Sequence, residues 1–157
     1  MKNNYLNIYN NLIKLTRNKN LYYNLKNKDT FSDRLVILLL HFSFFLKTYK
    51  NSLSKAEAQD LFDFIVRQIE LSIREIGYGD VSVNKKMKDY VNLFYSILEK
   101  IENWDIFDAS KKTKLLGNLM NIKDDNDLFV EYFDKYSHFL LNNSLKNITK
   151  NIIEFKF

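Results

Sequence analysis

The 157-residue chain has no cysteine and no proline, and only three glycines. Without cysteine there is no disulfide framework, no thiol nucleophile and no thiolate metal site, which suits a reducing compartment. Proline and glycine are the residues that break helices, so their scarcity favours long helices with few tight turns. His41 and His138 are the only histidines. They are far apart and each has apolar neighbours, whereas a metal site needs converging ligands at set spacings. No G-x-S-x-G, phosphate-loop or dinucleotide fingerprint occurs, and Gly77-Tyr-Gly-Asp80 lacks the strand that a phosphate loop needs before it. A nucleophilic triad assembles in space and is not excluded by spacing. With two histidines and no cysteine, however, the expectation is no catalytic residue, no metal and no cofactor. No apolar run reaches the roughly 20 residues of a membrane span. Residues 1–20 hold no continuous apolar stretch, so no secretory leader is expected.

Acid is also missing from residues 1–28, which carry Lys2, Lys14, Arg17, Lys19, Lys26 and Lys28. Elsewhere the charges nearly balance, and the formal total is +5. A basic amino end would be attracted to RNA, ribosome or lipid headgroups. Heavy use of Lys, Asn and Ile throughout offers a purely compositional explanation.

What the chain does have is apolar residues, 46% of the total, and aromatic ones, 15%. That is enough for one domain with a substantial core. Leu35 to Leu46 reads LVILLLHFSFFL, interrupted only by His41 and Ser43. A helix apolar on every face belongs inside a protein or a membrane, and at this length it reads as a buried core helix. The expected fold is therefore all-α: a single bundle of about six or seven helices around a central helix at about 33–50. Residues 1–28 read as a basic amphipathic helix plus a connection, part of which can form a helical turn, and residues 141–157 as a last helix or a tail.

Local signals place the other elements. Asp29, Thr30, Ser32 and Asp33 are candidate caps for the central helix. Ser54-Lys-Ala-Glu57 is a capping box, opening a stripe of Ala58, Leu61, Phe62, Ile65, Ile69, Ile73 and Ile76. The pairs Asp63–Arg67 and Glu70–Arg74 are spaced to meet across one turn. Gly77 suits a left-handed helix end, and Asp80 or Ser82 can cap the helix beyond it. That helix, read as 82–101, carries Met87, Tyr90, Val91, Phe94, Ile97, Leu98 and Ile101 on one face. Lys85, Lys86 and Lys88 near its start oppose the helix dipole, an unfavourable placement that suggests a function. Trp104, Ile106 and Phe107 form an aromatic junction, Asp108 caps a short helix, and Asp124 opens another. The structural core expected from these patterns is Leu35, Leu38, Leu39, His41, Phe42, Phe62, Ile65, Ile69, Tyr90 and Phe94.

Three segments, in order, resemble a known family. The first is Asp29-Thr-Phe-Ser-Asp-Arg-Leu-Val-Ile-Leu-Leu-Leu-His41, against D-T-x-x-G-R-F-D-x-L-x-L-H, with Ser32 at or beside the usual Gly. The second is Leu61-Phe-Asp63 with Leu71-Ser-Ile-Arg-Glu-Ile-Gly-Tyr-Gly-Asp80. The third is Val81-Ser-Val-Asn-Lys-Lys-Met-Lys88, against L-S-V-x-K-x-x-K. Together they are similar to the ubiquinol–cytochrome c chaperone family over residues 8–104, and more loosely over 105–140. The resemblance implies an all-helical, non-catalytic assembly chaperone that binds cytochrome b, or its nascent chain, as the bc1 complex is built. It further implies a small partner protein, work at the ribosome and peripheral contact with the membrane. A bacterial, cytoplasmic member on the inner-membrane face is expected, or a matrix protein if eukaryotic. The matched Arg74, Glu75, Gly77, Asp80, Lys85 and Lys88, with Lys86 between them, mark one turn as the expected partner-binding surface. The competing expectation is a ribosome- or RNA-binding helical module acting through its basic surface. DNA is not an expected partner.

Overall fold

From Ile37 to Phe45 nine consecutive side chains are buried, as only a helix surrounded by others allows. This helix is α2 (Phe31–Tyr49). A computed structural model describes residues 2–22, 30–122, 126–150 and 153–156. Among them lie seven α-helices and two 3-10 turns, with no strand. The helices besides α2 are α1 (Lys2–Thr16), α3 (Lys55–Glu75), α4 (Asp80–Ile101), α5 (Ala109–Met120), α6 (Asp127–Leu141) and α7 (Leu145–Lys150). The 3-10 turns are Lys19–Tyr22 and Trp104–Ile106.

The caps agree closely with the sequence at three helices. Thr30 accepts from the Asp33 amide at 3.1 Å and opens α2. Ser54 and Glu57 form the reciprocal box, with bonds of 3.0 and 3.4 Å. Asp108 accepts from the Lys111 amide at 2.8 Å. α4 differs. It begins at Asp80, and its cap is Gly79, which supplies no side-chain bond. Neither Asp80 nor Ser82 caps it, because the Asp80 carboxylate is drawn to Arg74 instead. α6 likewise opens at Asn126–Asp127; Asp124 lies outside the described residues.

Packing explains why α2 is apolar all round. It meets α1, α4, α5 and α6. Phe42 stacks on Phe94 of α4 at 5.0 Å and 16°. Phe44 stacks on Phe133 of α6 at 5.3 Å and 15°, and meets Trp104 edge-on at 5.3 Å. Offset-stacked and edge-to-face pairs of this kind add about 0.5–1.5 kcal/mol each beyond their buried area. Of the expected core residues, Phe62 and Tyr90 are half-buried and the others are buried. Ile106, read as part of the aromatic junction, stands 82% exposed, and Leu6 of α1 is 50% exposed.

The polar residues of the core are satisfied by one arrangement. His41 Nδ1 lies 2.8 Å from the Ile37 carbonyl, which can only accept. The proton is therefore on Nδ1, and Nε2 accepts from the Tyr132 hydroxyl at 2.6 Å. Tyr136 donates to the His41 carbonyl at 3.1 Å. Burial pushes His41 down to about 3, so the ring is neutral, and pushes the Tyr132 and Tyr136 hydroxyls up. His41 is thus a core linker between α2 and α6, whereas His138 is exposed.

The carboxyl end packs back on α1. Asn11 Nδ2 donates to the Ile148 carbonyl at 3.1 Å, and Asn11 Oδ1 accepts from the Ile153 amide at 3.1 Å. Asn7 reaches the Thr149 carbonyl at 3.3 Å, and Lys14 Nζ the Ile153 carbonyl at 3.3 Å. Phe155 then packs against Tyr132, Tyr136 and Phe139.

Candidate interaction surface

The turn between α3 and α4 is built by Gly77, whose φ of +105° carries the chain out of α3. The last α3 carbonyls are closed by the Gly77 amide on Arg74 O at 2.9 Å and the Ile76 amide on Ile73 O at 3.2 Å. Arg74 then braces the turn. Its guanidinium contacts the Asp80 carboxylate and reaches Glu70 Oε1 at 3.1 Å. Those bonds, Asp80 first, hold Arg74 above its ordinary value. Glu70 is held below the usual carboxylate range by Arg67, at 2.8 Å, and by Arg74. The Glu70–Arg74 pair is as the spacing predicts. The Asp63–Arg67 pair is not formed: Arg67 turns towards Glu70, and Asp63 accepts from Gln59 at 2.8 Å.

The residues marked by sequence at this turn therefore divide by what they touch. Arg74, Gly77 and Asp80 hold its shape. Glu75, Lys85 and Lys88 are exposed. Lys86 is half-buried, with its ammonium 4.6 Å from the Tyr78 ring centroid, a cation–π contact. Because α4 starts at Asp80, the three lysines lie beyond its first turn, where the dipole has faded. Their cost to α4 is smaller than the later helix start suggested.

The same turn carries exposed apolar surface, which the stripes did not predict. Ile76, Tyr78 and Val81 are 51%, 43% and 86% exposed. Ile76 had continued the α3 stripe, but it sits at the helix cap, where the chain has begun to leave the core. Its position next to Gly77 is the signal for that. Val81, Lys85 and Lys88 stand at successive spacings of four and three, which puts an apolar residue and two cations on one exposed helical face.

A second feature lies nearby. α1, α2 and α3 enclose a groove of about 550 Å³, with Lys14, Arg17 and Arg34 among its lining. No group of three or more His, Cys, Asp or Glu side chains able to hold a metal occurs among the described residues. Nor is any described helix long and apolar enough to cross a membrane.

The α2–α5 region, with this turn at its middle, is the part of the chain that known proteins share. Residues 24–121, more than half of the chain, match the family model described as ubiquinol-cytochrome C chaperone. The chain belongs to that family. No curated protein and no solved structure matches it. Membership gives the protein the coarse role of a chaperone in ubiquinol–cytochrome c reductase assembly. α1, α6 and α7 lie outside the matched span, although α6 supplies the Tyr132 partner of His41.

Proposed function

We propose that this chaperone acts without catalysis by holding cytochrome b during assembly of the bc1 complex, and that the α3–α4 turn meets the client. The observation that carries the proposal is the exposed apolar group Ile76, Tyr78 and Val81 beside Lys85 and Lys88, within the family-matched segment. A client with long apolar helices needs an apolar landing place, and exposed apolar residues ringed by charge mark protein or membrane contacts. The brace of Arg74 on Glu70 and Asp80 presets the turn, which reduces the ordering cost of binding. The protein works peripherally, where cytochrome b enters the membrane.

The test places a photoreactive residue at position 81 in cells and asks what it captures. Cytochrome b is the expected product. Ile76→Asp combined with Tyr78→Asp should abolish the crosslink and lower haem b absorbance and bc1 activity while the helical spectrum is retained. Normal bc1 content in that variant overturns the proposal.

The exposed Lys85 and Lys88 favour one other reading, an RNA or ribosome contact. It predicts salt-sensitive RNA binding that falls when Lys85, Lys86 and Lys88 become Glu. Ribosome binding fits either reading, so bc1 content discriminates between them.

A further inference from the structure

We propose that the groove between α1, α2 and α3 binds one molecule of an anionic bilayer phospholipid, with an acyl chain along its floor and the phosphate among Lys14, Arg17 and Arg34. The floor is apolar, formed by Ile13, Leu38 and Ile69. The rim supplies those three cations, and among the described residues no carboxylate lines the groove. Asp33, in the same turn as Arg34, is half-buried and outside the lining. Its volume of about 550 Å³ falls within the roughly 300–1,000 Å³ of small-molecule sites.

The charge pattern differs from that of a second cleft. At the opposite end of the bundle another cleft, of about 430 Å³, also carries three cations, Lys47, Lys50 and Lys55. There they are accompanied by Glu99 and Glu102, and Lys50 lies 3.7 Å from Glu102. Among the described lining residues one cleft is electrically mixed, while the other is apolar below with cations above, complementary to a chain that ends in an anion. Lys14 of α1 and Arg17, just past its end, stand three apart, and the Arg17 amide still bonds to Ile13 O at 3.0 Å, so they share a face and can meet one headgroup together. Lys14 is also positioned by its bond to the Ile153 carbonyl. The groove ends at Ser72 of α3, a few residues before the exposed Ile76. A lipid held there would bring the α3–α4 turn to the bilayer surface. The proposal stands independently of which client that turn meets.

The full chain is mixed with phosphatidylglycerol or phosphatidylcholine vesicles and tracked by flotation. A phosphatidylglycerol carrying a diazirine in its acyl chain then maps the contact by mass spectrometry. Binding to the anionic vesicles alone is expected, with label on peptides containing Ile13 and Ile69. Lys14→Gln with Arg17→Glu should weaken flotation by about tenfold or more, since each basic residue near an anionic surface contributes roughly fivefold. Ser72→Phe keeps every charge but fills the groove, and should lose most acyl labelling. It remains informative if the charge variant fails to fold, and circular dichroism reports on both. Equal binding to phosphatidylcholine overturns the proposal. So does unchanged acyl labelling in Ser72→Phe, which would mean adsorption by charge alone. Equal affinity for vesicle-free oleate would point to a soluble fatty acid and overturn the bilayer source. Capture of an acidic amphipathic peptide in place of lipid would overturn the lipid assignment.

Discussion

His41 Nε2 sits 2.6 Å from the Tyr132 hydroxyl, which lies 91 residues further along the chain. Because Nδ1 is committed to Ile37, this hydroxyl is the donor that lets a fully buried imidazole stay neutral. Tyr132→Phe removes the donor and leaves a buried acceptor without its partner. The expected cost is about 1–3 kcal/mol, read as a lower urea midpoint with an unchanged slope.

The same ring makes stability depend on pH. Folded His41 lies at about 3, against an ordinary value of 6.5. Between those values the unfolded chain binds a proton that the folded chain does not. The stabilising contribution is therefore complete above pH 6.5 and declines as pH falls towards 3, by at most about 1.4 kcal/mol per pH unit from this group. Urea titrations at pH 7, 6 and 5 should show a decline that His41→Gln flattens. Equal pH slopes in the two proteins would contradict the assignment.

Leu39 is 4% exposed in the middle of α2. Leu39→Asp places a carboxylate among apolar neighbours, where no partner offsets its desolvation, and should abolish the cooperative thermal transition. Leu141→Asp, at a site 60% exposed, should melt within a few degrees of the parent. A near-native melt for Leu39→Asp would remove α2 from the centre of the fold.

Gly77 and Gly79 flank the same turn but should respond differently. A Cβ at either position meets nothing within 4 Å, so sterics with neighbours do not decide the outcome. Gly77 has φ +105°, and Gly77→Ala should cost about 1–3 kcal/mol of backbone strain. Gly79 caps α4 at φ −74°, and Gly79→Ser should gain a few tenths of a kcal/mol, roughly the difference between a glycine and a serine cap. Chemical denaturation of the two variants, side by side, measures both signs.

Asn11→Leu removes the donor to Ile148 and the acceptor for Ile153 together. Amide hydrogen exchange in residues 145–150 should accelerate at least tenfold, because each bond is worth about 1 kcal/mol. Exchange in α2 should change little.

The centre of this fold is legible in the sequence because its signals are local. A nine-residue buried run, the Ser54–Glu57 box and Gly77 each state their structure within a few positions. What was illegible depends on distant partners. Asn11 looks like one more polar residue on an amphipathic helix, since the groups it binds lie 137 and 142 positions away. Arg67 and Asp80 chose partners by the orientation of neighbouring side chains, which spacing alone does not fix. At the candidate surface, the sequence marked the charged residues. Ile76 was hidden because a stripe does not show where the helix stops facing the core. Lys14 and Arg17 stood out only as charge and Arg34 only as part of a matched segment, because the groove that joins them needs three helices in place.

The clasp between α1 and the carboxyl end sets an order of events. During synthesis α1 leaves the ribosome before the other described helices, yet the groups that Asn7, Asn11 and Lys14 bind lie at residues 148–153. Contacts so distant along the chain form late, and domains emerge amino end first. Until residues 148–153 emerge, α1 has its apolar partner in α2 but not its polar one. Of the seven described helices, the earliest made is therefore among the last to be finished.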